Sequence, residues 1–309
     1  MISLVVVCAL ALAVGGIVGK ILADRGINSD NALKNYQKPI VWMLVAIAPC
    51  LGILIILDKL HLAPLLPKIF PPMFLIYLAG YFNQFVVWSG CFCLGLLIFL
   101  ELLGKRSRQQ LIQLAIAISA ISFALSILLY FLQPVTALVK QANIINGIVM
   151  QTSPYTCAPA SIATLGRYIK KYPNLTEKQV VKLTKTNRFG TTTLEEIRAM
   201  EKLDLNPQYR HNLTTDDLVA IDRPALMHVK EKRRRGKGVR FSHAVAYLAI
   251  DPVREIIIIG NPLYGMQVKT FKDLEEYWFG EVITVDRTKA VFFDRRSIQK
   301  LFSSFKTIP

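Results

Sequence analysis

Four residues in the second half of the chain have the types and the order that thiol chemistry requires. Cys157 is the only cysteine among residues 133–309, and it lies six residues after Gln151. His243 follows in the run Ser-His-Ala-Val-Ala, and Asn261 follows in Ile-Gly-Asn-Pro. A thiol, an imidazole that takes its proton and a carboxamide that orients the imidazole together form a catalytic nucleophile. The order of these residues predicts peptide hydrolysis by a cysteine.

Each of these side chains has a defined task in that chemistry. A thiol attacks as the thiolate, and its ordinary pKa of about 8.5 has to be lowered. Cys157 is predicted to begin a helix, where the helix dipole favours negative charge. His243, at the start of a predicted strand, would accept the thiol proton and return it to the leaving amine, while Asn261 would orient the ring. Gln151 and the backbone N–H of Cys157 would donate to the oxyanion.

Each residue taken alone also has an ordinary structural explanation. A cysteine at a helix start often only packs, and His243 could be a hydrogen-bonded strand histidine, as could His228. Asn261 precedes Pro262, which is common in turns. Only the joint order favours catalysis. A zinc site is disfavoured because the candidate ligands lack paired spacing, and no cofactor is predicted; these ligands are Cys157, His211, His228 and His243.

The chain divides into two parts by composition. It has 309 residues, of which 53% are hydrophobic, and a mean hydropathy of +0.39, which is too apolar for an ordinary soluble protein. Residues 1–132 carry 9 Lys+Arg and 4 Asp+Glu, whereas residues 133–309 carry 28 and 17. The first part is therefore predicted to lie in a membrane and the second to be globular. The other four cysteines lie in apolar segments, which leaves Cys157 as a free thiol.

Four uncharged apolar stretches predict about four transmembrane helices, because each can cross a bilayer core of about 30 Å. The first is interpreted as an uncleaved helix rather than a signal peptide. The loops that follow the first and third stretches hold seven Lys and Arg, against two in the middle loop, so the globular part is predicted to be extracytoplasmic. One span more or fewer would reverse this side. The predicted spans are about 3–19, 40–57, 73–100 and 111–132.

The globular part reads as helices followed by an antiparallel sheet, which is an α+β domain. Helices are predicted from Cys157, after capping boxes at Thr176–Gln179 and Thr193–Glu196, after Thr214, and at 271–278. Strands are predicted at 225–229, 243–250, 255–259 and 282–285, with a tight turn at 251–254. The predicted organisation is a membrane domain at 1–132, a linker at 133–146, a globular domain at 147–290 and a tail at 291–309.

A basic run joins two of the predicted strands close to His243. The net charge is +16, and residues 230–240 contribute strongly to it. We interpret the run as a solvated hairpin tip; the alternative is a contact with anionic lipid or an acidic substrate segment through Lys232, Arg233, Arg234 and Arg235. Nucleic acid is not an expected partner, because no nucleic-acid module is visible. The expected partners are a peptide or protein substrate and the lipid bilayer.

Several of these motifs together resemble the bacteriocin-processing, double-glycine leader peptidase family of the papain-like clan. They are Gln151 to Ala160, Phe189-Gly-Thr-Thr, Pro224-Ala-Leu-Met-His-Val, His243-Ala-Val-Ala and Gly260-Asn-Pro-x-x-Gly265, within residues 147–287. The resemblance implies a papain-like fold, with Cys157 as nucleophile, His243 as base, Asn261 in the position of an orienting aspartate and Gln151 in the oxyanion hole.

This chain departs from the family pattern at three points. The family usually has Asp-Cys-Gly where this chain has Thr156-Cys157-Ala158, and Asp-Pro where it has Asn261-Pro262. The best-known members are fused to an ATP-driven exporter, whereas this sequence holds no Gly-x-x-x-x-Gly-Lys phosphate-binding motif. The resemblance therefore indicates a membrane-anchored form without such an exporter.

Three classes of function are compatible with these features. The first is a membrane-anchored cysteine endopeptidase that cleaves a peptide or membrane-proximal protein through an acyl-thioester on Cys157. The alternative is a non-catalytic, peptidase-like module on a membrane anchor that binds a peptide or has a regulatory role. A transporter is disfavoured because the predicted spans carry no charge. All four candidate positions carry residues competent for catalysis, which favours the enzyme.

Overall fold

The computed structural model describes residues 2–27, 71–102, 108–232 and 240–286. The chain forms two compact units, Met1–Gln133 and the part that begins at Pro134. Three of the sequence predictions lie outside the described residues: the span at 40–57, the side chains of Arg233 to Arg235, and the tail at 291–309.

The described part of the first unit consists of three apolar helices, α1 (Ile2–Asp24), α2 (Pro72–Leu102) and α3 (Arg108–Leu132). The predicted spans at 3–19, 73–100 and 111–132 lie within them. Among the described residues, two stretches are long and apolar enough to cross a membrane, Val6–Asp24 and Pro72–Phe99. The apolar stretch of α3 is shorter, Ile118–Leu132. Large apolar side chains are exposed on α1 at helical spacing, which suits a lipid environment better than water: Val6, Leu10, Val14, Ile17 and Ile21.

Helices α1 and α2 approach closely through two glycines. A Cβ atom on Gly15 would collide with the carbonyl oxygen of Phe92, and one on Gly95 would collide with that of Leu12. Small residues at a helix crossing allow the two backbones to meet, which is the usual way in which apolar helices pack in lipid. Around this crossing the buried side chains are Ala11, Val87 and Cys91.

The second unit combines five described α-helices with an antiparallel sheet of six strands, so the predicted α+β class is confirmed. The helices are α4 (Cys157–Tyr168), α5 (Glu177–Thr184), α6 (Thr193–Lys202), α7 (Thr215–Ile221) and α8 (Phe271–Tyr277). A short ribbon comes first, β1 (Ile144–Ile145) paired with β2 (Ile148–Val149). The sheet strands are β3 (Gln208–Arg210), β4 (Ala225–Lys232), β5 (Arg240–Asp251), β6 (Ile256–Asn261), β7 (Gly265–Thr270) and β8 (Trp278–Thr284).

The sheet has the strand order β3-β8-β4-β5-β6-β7, so β4, β5 and β6 lie side by side. This order brings residues that are distant in sequence into register: His228 pairs with Ala244 and Val229 with His243. Apolar residues of these strands form a core with α7 and α8, which includes Met227, Val245 and Leu274. Their burial, at about 25 cal/mol per Å² of apolar surface, stabilises the strands that hold the site.

Helix α4 packs on the same sheet and begins at Cys157. Its residues Ala160, Ile162 and Leu165 are fully buried, which explains the helical apolar spacing seen in the sequence. The buried hydroxyl of Ser161 donates to the carbonyl oxygen of Ala244 at 3.0 Å, and this bond connects the helix to β5. The start of α4 is thereby held beside the residue that follows His243.

Two helix starts show what the capping patterns can and cannot predict. The box at Thr176–Gln179 is confirmed, with both of its hydrogen bonds present. The box at Thr193–Glu196 is wrong, because the N-cap is Thr192, whose hydroxyl accepts from the backbone of Glu195. Three consecutive threonines offered alternative caps, and tertiary contacts select among such alternatives. Glu196 is instead buried and faces the sheet.

The strands are longer than predicted, and two sheet strands were not predicted. Strand β4 continues to Lys232 and β5 begins at Arg240, so the first residues of the basic run belong to the sheet and not to a solvated tip. Glu231 in this run is only 7% exposed. Strands β3 and β7 are short, polar and at the sheet edges, where a weak apolar alternation gives little signal.

Candidate active site

A cleft of about 450 Å³ contains both Cys157 and His243. Its walls also include the polar side chains of Glu196, His228 and Glu281, and two partly exposed aromatic rings, Phe189 and Phe279. Cys157 comes from the start of α4 and His243 from β5, so the fold brings together two residues that are far apart in sequence.

Cys157 is the first residue of α4 and is half-buried. The hydroxyl of its N-cap, Thr156, donates to the carbonyl oxygen of Ser153 and does not cap the helix. The backbone N–H groups of Ala244 and Ala158 donate to the thiol. Burial raises the pKa of Cys157, and these two bonds oppose the rise because they favour the thiolate.

His243 and Asn261 are adjacent and buried. The ring Nε2 of His243 lies 3.1 Å from Oδ1 of Asn261, and the two residues are 4% and 0% exposed. Burial lowers the pKa of His243, whereas the hydrogen bond to Asn261 and the charge of Glu231 oppose this change. The ring is therefore held in one orientation, with Nε2 towards the carboxamide.

The orientation of the Asn261 amide is fixed by its other contacts. Its Nδ2 donates to Oε2 of Glu231 at 2.8 Å and to Oε1 of Gln267 at 3.1 Å. Its Oδ1 accepts the backbone N–H of Leu263 at 2.9 Å. Because both Nδ2 partners are acceptors, Oδ1 must be the atom that faces His243. Nε2 of His243 therefore carries the proton, and Nδ1 is left with the basic lone pair.

Gln151 does not line the cleft. Its side-chain Nε2 donates to the carbonyl oxygen of Ser153 at 2.9 Å, and its backbone N–H donates to the carbonyl oxygen of Pro262 at 2.9 Å, next to Asn261. An amide nitrogen has two N–H bonds, and one of them is used by Ser153. The role of Gln151 at the oxyanion stays a prediction that depends on the second.

A second histidine lies in the same cleft between two carboxylates. Nε2 of His228 is 2.8 Å from Oε2 of Glu196, and Nδ1 is 2.9 Å from Oε1 of Glu281. The other oxygen of Glu281 accepts the hydroxyl of Tyr209 at 2.5 Å. Burial alone would lower the pKa of His228, but Glu196 and then Glu281 raise it well above 6.5. This imidazole is therefore charged at neutral pH.

The sequence reasoning missed three glutamates of the site, Glu196, Glu231 and Glu281. A signal for Glu231 was present, because Met227, Val229 and Glu231 alternate along β4 and all three are buried. Glu196 was assigned to a capping box, and Glu281 lies in a strand whose predicted start was Val282. No local pattern shows that these last two meet His228, since their contact depends on strand order.

Comparison with known proteins finds similarity among solved structures only. No protein-family model matches the chain, and no curated protein matches it. The peptidase domain of Streptococcus ComA, a bi-functional ABC transporter of a quorum-sensing pathway, is 22% identical with a TM-score of 0.38, and the match covers 45% of this chain and 96% of that one. The peptidase domain of Streptococcus mutans ComA is 23% identical with a TM-score of 0.33, covering 45% and 98%.

A third similar structure is a double-glycine motif protease from an AMS/PCAT transporter in complex with a leader peptide. It is 20% identical with a TM-score of 0.37, and the match covers 50% of this chain and 99% of the other. Two of these neighbours are thus peptidase domains of ComA proteins, and the third is a double-glycine motif protease. At identities of 20–23% and TM-scores of 0.33–0.38, these matches transfer no activity to this chain.

Proposed function

We propose that the chain is a membrane-anchored cysteine endopeptidase that cleaves a peptide or a membrane-proximal protein. The observation that carries this proposal is the hydrogen bond from His243 to Asn261 in the cleft that also holds Cys157. It supplies the orienting group that a general base requires, and it leaves Nδ1 of His243 unprotonated.

The reaction proceeds in two halves. Nδ1 of His243 takes the proton from the Cys157 thiol, and the sulfur attacks the scissile carbonyl carbon. Collapse of the tetrahedral intermediate breaks the C–N bond, and the imidazolium gives its proton to the leaving amine. A water molecule, deprotonated by the same nitrogen, then hydrolyses the acyl-thioester and restores the thiol. The N–H groups at the start of α4, with Gln151, are the proposed donors to the oxyanion.

The membrane part is proposed to hold this domain close to its substrate. Helices α1 and α2 have the length and composition of membrane spans, and four spans would place the peptidase domain outside the cytoplasm. A contact of Lys232, Arg233, Arg234 and Arg235 with anionic lipid or an acidic substrate segment is compatible with Lys232 lying exposed at the end of β4. The resemblance in motifs makes a double-glycine peptide the first substrate to test.

A non-catalytic peptide-binding module is the second candidate, and one observation favours it. Burial raises the pKa of Cys157 and lowers that of His243. Both directions favour the neutral thiol and the neutral imidazole over the reactive ion pair. An enzyme needs neighbours that offset this preference, whereas a binding module does not.

Covalent labelling separates the two candidates. The full-length protein in detergent is treated with a peptidyl chloromethyl ketone, and labelling is located by mass spectrometry in the wild type, Cys157→Ala and His243→Ala. We expect labelling at Cys157 that falls about 100-fold or more in His243→Ala, as for loss of a general base. Cys93→Ala, which removes an exposed thiol of α2, is the control. Labelling of Cys157 that is unaffected by loss of His243 would exclude the peptidase.

A further inference from the structure

The neutral carboxamide of Asn261 lies beside the imidazole of His243, and the carboxylate of Glu231 binds the other end of that carboxamide. We propose that Glu231 is a positioning residue that supplies, through Asn261, the negative charge that orients and stabilises protonated His243. This inference rests on the proposed peptidase function and adds one residue to its site.

The contacts of Glu231 place it in line with the reacting groups. Its Oε2 accepts from Nδ2 of Asn261 at 2.8 Å and from the hydroxyl of Tyr277 at 2.8 Å. Its Oε1 accepts the backbone N–H of Lys232 at 3.2 Å. The hydrogen bonds run from His243 to Asn261 and from Asn261 to Glu231, so the carboxylate is connected to the imidazole through a single amide.

The first consequence concerns the orientation of the amide. A carboxylate can only accept, so it binds the NH₂ end of Asn261 and turns the oxygen towards His243. A reversed amide would place Oδ1 against Oε2 of Glu231, which is electrostatically unfavourable. Glu231 thereby selects the tautomer of His243 that has its lone pair at Nδ1, the nitrogen left free by Asn261.

The second consequence concerns charge. When the S–H bond of Cys157 breaks and the proton binds Nδ1, His243 becomes a cation while its Nε2–H stays bonded to Asn261. A buried carboxylate nearby stabilises that cation, because the interaction is little screened by solvent. The charge of Glu231 acts on His243 in this direction, opposite to the effect of burial. Glu231 is thus a neighbour that offsets the preference for the neutral pair.

Three donors satisfy the Glu231 carboxylate, namely the backbone N–H of Lys232, the Asn261 amide and the Tyr277 hydroxyl, and none of these donor groups is cationic. Within the described residues, no lysine or arginine forms an ion pair with Glu231. Arg240 of β5 pairs with Glu276, and Nζ of Lys269 on β7 lies 4.9 Å from the ring centroid of Tyr277. The titratable and charged groups around Glu231 and His243 are Lys232, Arg240, Tyr264, Lys269 and Tyr277 on the side of Glu231 and, in the cleft, Cys157, Glu196, His228 and Glu281. Protonated His243 is the cation connected to Glu231 by hydrogen bonds.

The first test removes the charge and keeps the shape. The full-length protein in detergent is alkylated with iodoacetamide between pH 5 and 9, and modification of Cys157 is quantified by mass spectrometry. We expect Glu231→Gln to react about tenfold more slowly than wild type near pH 7, because the pKa of His243 falls and less thiolate is present. Glu201→Gln, which removes an exposed carboxylate of α6, is the matched control and should react as wild type does.

The second test moves the charge by one residue. In Asn261→Asp two carboxylates would meet where Asn261 and Glu231 now bond, and one of them would hold a proton, so one negative charge remains near His243 and alkylation should stay within about threefold of the wild-type rate. The double variant Asn261→Asp with Glu231→Gln places the carboxylate against His243 and the amide behind it. We expect the double variant to recover at least half of the wild-type rate, although Glu231→Gln alone is slow.

The outcomes separate this inference from the proposed function. If wild type and His243→Ala are alkylated at equal rates across the pH range, the peptidase proposal fails. If wild type depends on His243, but Glu231→Gln matches wild type or the double variant is as slow as the slower single variant, the inference about Glu231 fails alone. Equal resistance of all variants to limited proteolysis verifies that each is folded, and rescue by the double variant cannot arise from a folding defect.

Discussion

Two imidazoles share one cleft and have opposite acid–base character. His243 bonds to the neutral carboxamide of Asn261, and burial lowers its pKa. His228 bonds to two carboxylates, Glu196 and Glu281, which raise its pKa well above 6.5 despite burial. The first can accept a proton at neutral pH, whereas the second already holds one.

The difference shows that the hydrogen-bond partners of an imidazole determine whether it can act as a base. A general base must exchange its proton within each turnover, which requires a pKa near the working pH. An imidazole fixed between two carboxylates cannot do so, and it serves instead as the cation that neutralises buried charge. A buried histidine in a cleft is therefore not evidence of a base until the groups at both of its nitrogens are known.

The largest expected effect is on stability, through loss of the charged histidine. His228→Gln would leave Glu196 and Glu281 facing each other without a cation, which should destabilise the unit that begins at Pro134 by about 3 kcal/mol, as for other broken buried ion pairs. Urea unfolding of the full-length protein in detergent, followed by tryptophan fluorescence, measures this change. Glu196→Gln, which leaves the pair of His228 with Glu281, is the control and should cost less.

The variant His228→Gln also tests whether His243, and not His228, acts as the general base. Molecules of His228→Gln that remain folded should be labelled at Cys157 to at least a third of the wild-type extent, whereas labelling of His243→Ala should fall about 100-fold or more. Loss of labelling in folded His228→Gln, equal to that in His243→Ala, would show that the comparison assigns the two histidines wrongly.

A smaller change in the free energy of unfolding is expected when the pH is varied. Because the pKa of His228 is raised in the folded protein, its contribution to stability is complete below pH 6.5 and is lost as the pH rises through the folded pKa. The pKa of His243 is lowered, so this residue costs stability as the pH falls below 6.5. The difference in unfolding free energy between wild type and His228→Gln should therefore shrink between pH 6.5 and 9. A difference that stays constant over that range would mean that His228 is not charged.

The sequence was sufficient for those parts of the fold that repeat a local pattern. The apolar spacing of α4 predicts the helix that starts at Cys157, and the β-branched run at 256–259 predicts β6. The cap of α6 could not be predicted, because Thr191, Thr192 and Thr193 all have the required hydroxyl. The short edge strands β3 and β7 gain their order from neighbouring strands more than from their own residues.

The sequence predicts those site residues whose order along the chain has chemical meaning. It does not predict the residues that only strand pairing brings to the site. Cys157, His243 and Asn261 stand in an order with chemical meaning, and the structure places His243 beside Asn261. The sequence predicts a solvated position for Glu231, because its neighbours in the basic run are Lys230 and Lys232. Its burial depends on the alternation of β4 and on contacts with Asn261 and Tyr277, which no local window contains.

The smallest expected effect tests the far end of the Glu231 network. The hydroxyl of Tyr277 donates to Glu231, and burial and this carboxylate raise the pKa of Tyr277. Tyr277→Phe removes one donor and leaves the negative charge less neutralised. At pH 7.5 this should favour protonated His243 and increase the alkylation rate of Cys157 by up to about threefold, opposite in sign to Glu231→Gln.

The matched control for this change is Tyr264→Phe, because the Tyr264 hydroxyl donates at 3.4 Å to the backbone carbonyl of Lys232. It should leave the alkylation rate unchanged. A decrease in Tyr277→Phe as large as that in Glu231→Gln would mean that Tyr277 holds the carboxylate in place. The electrostatic effect of Glu231 on His243 would then depend more on where the carboxylate lies than on how far its hydrogen-bond donors neutralise it. The two imidazoles would then differ in the positions of their neighbouring groups as much as in the charge of those groups.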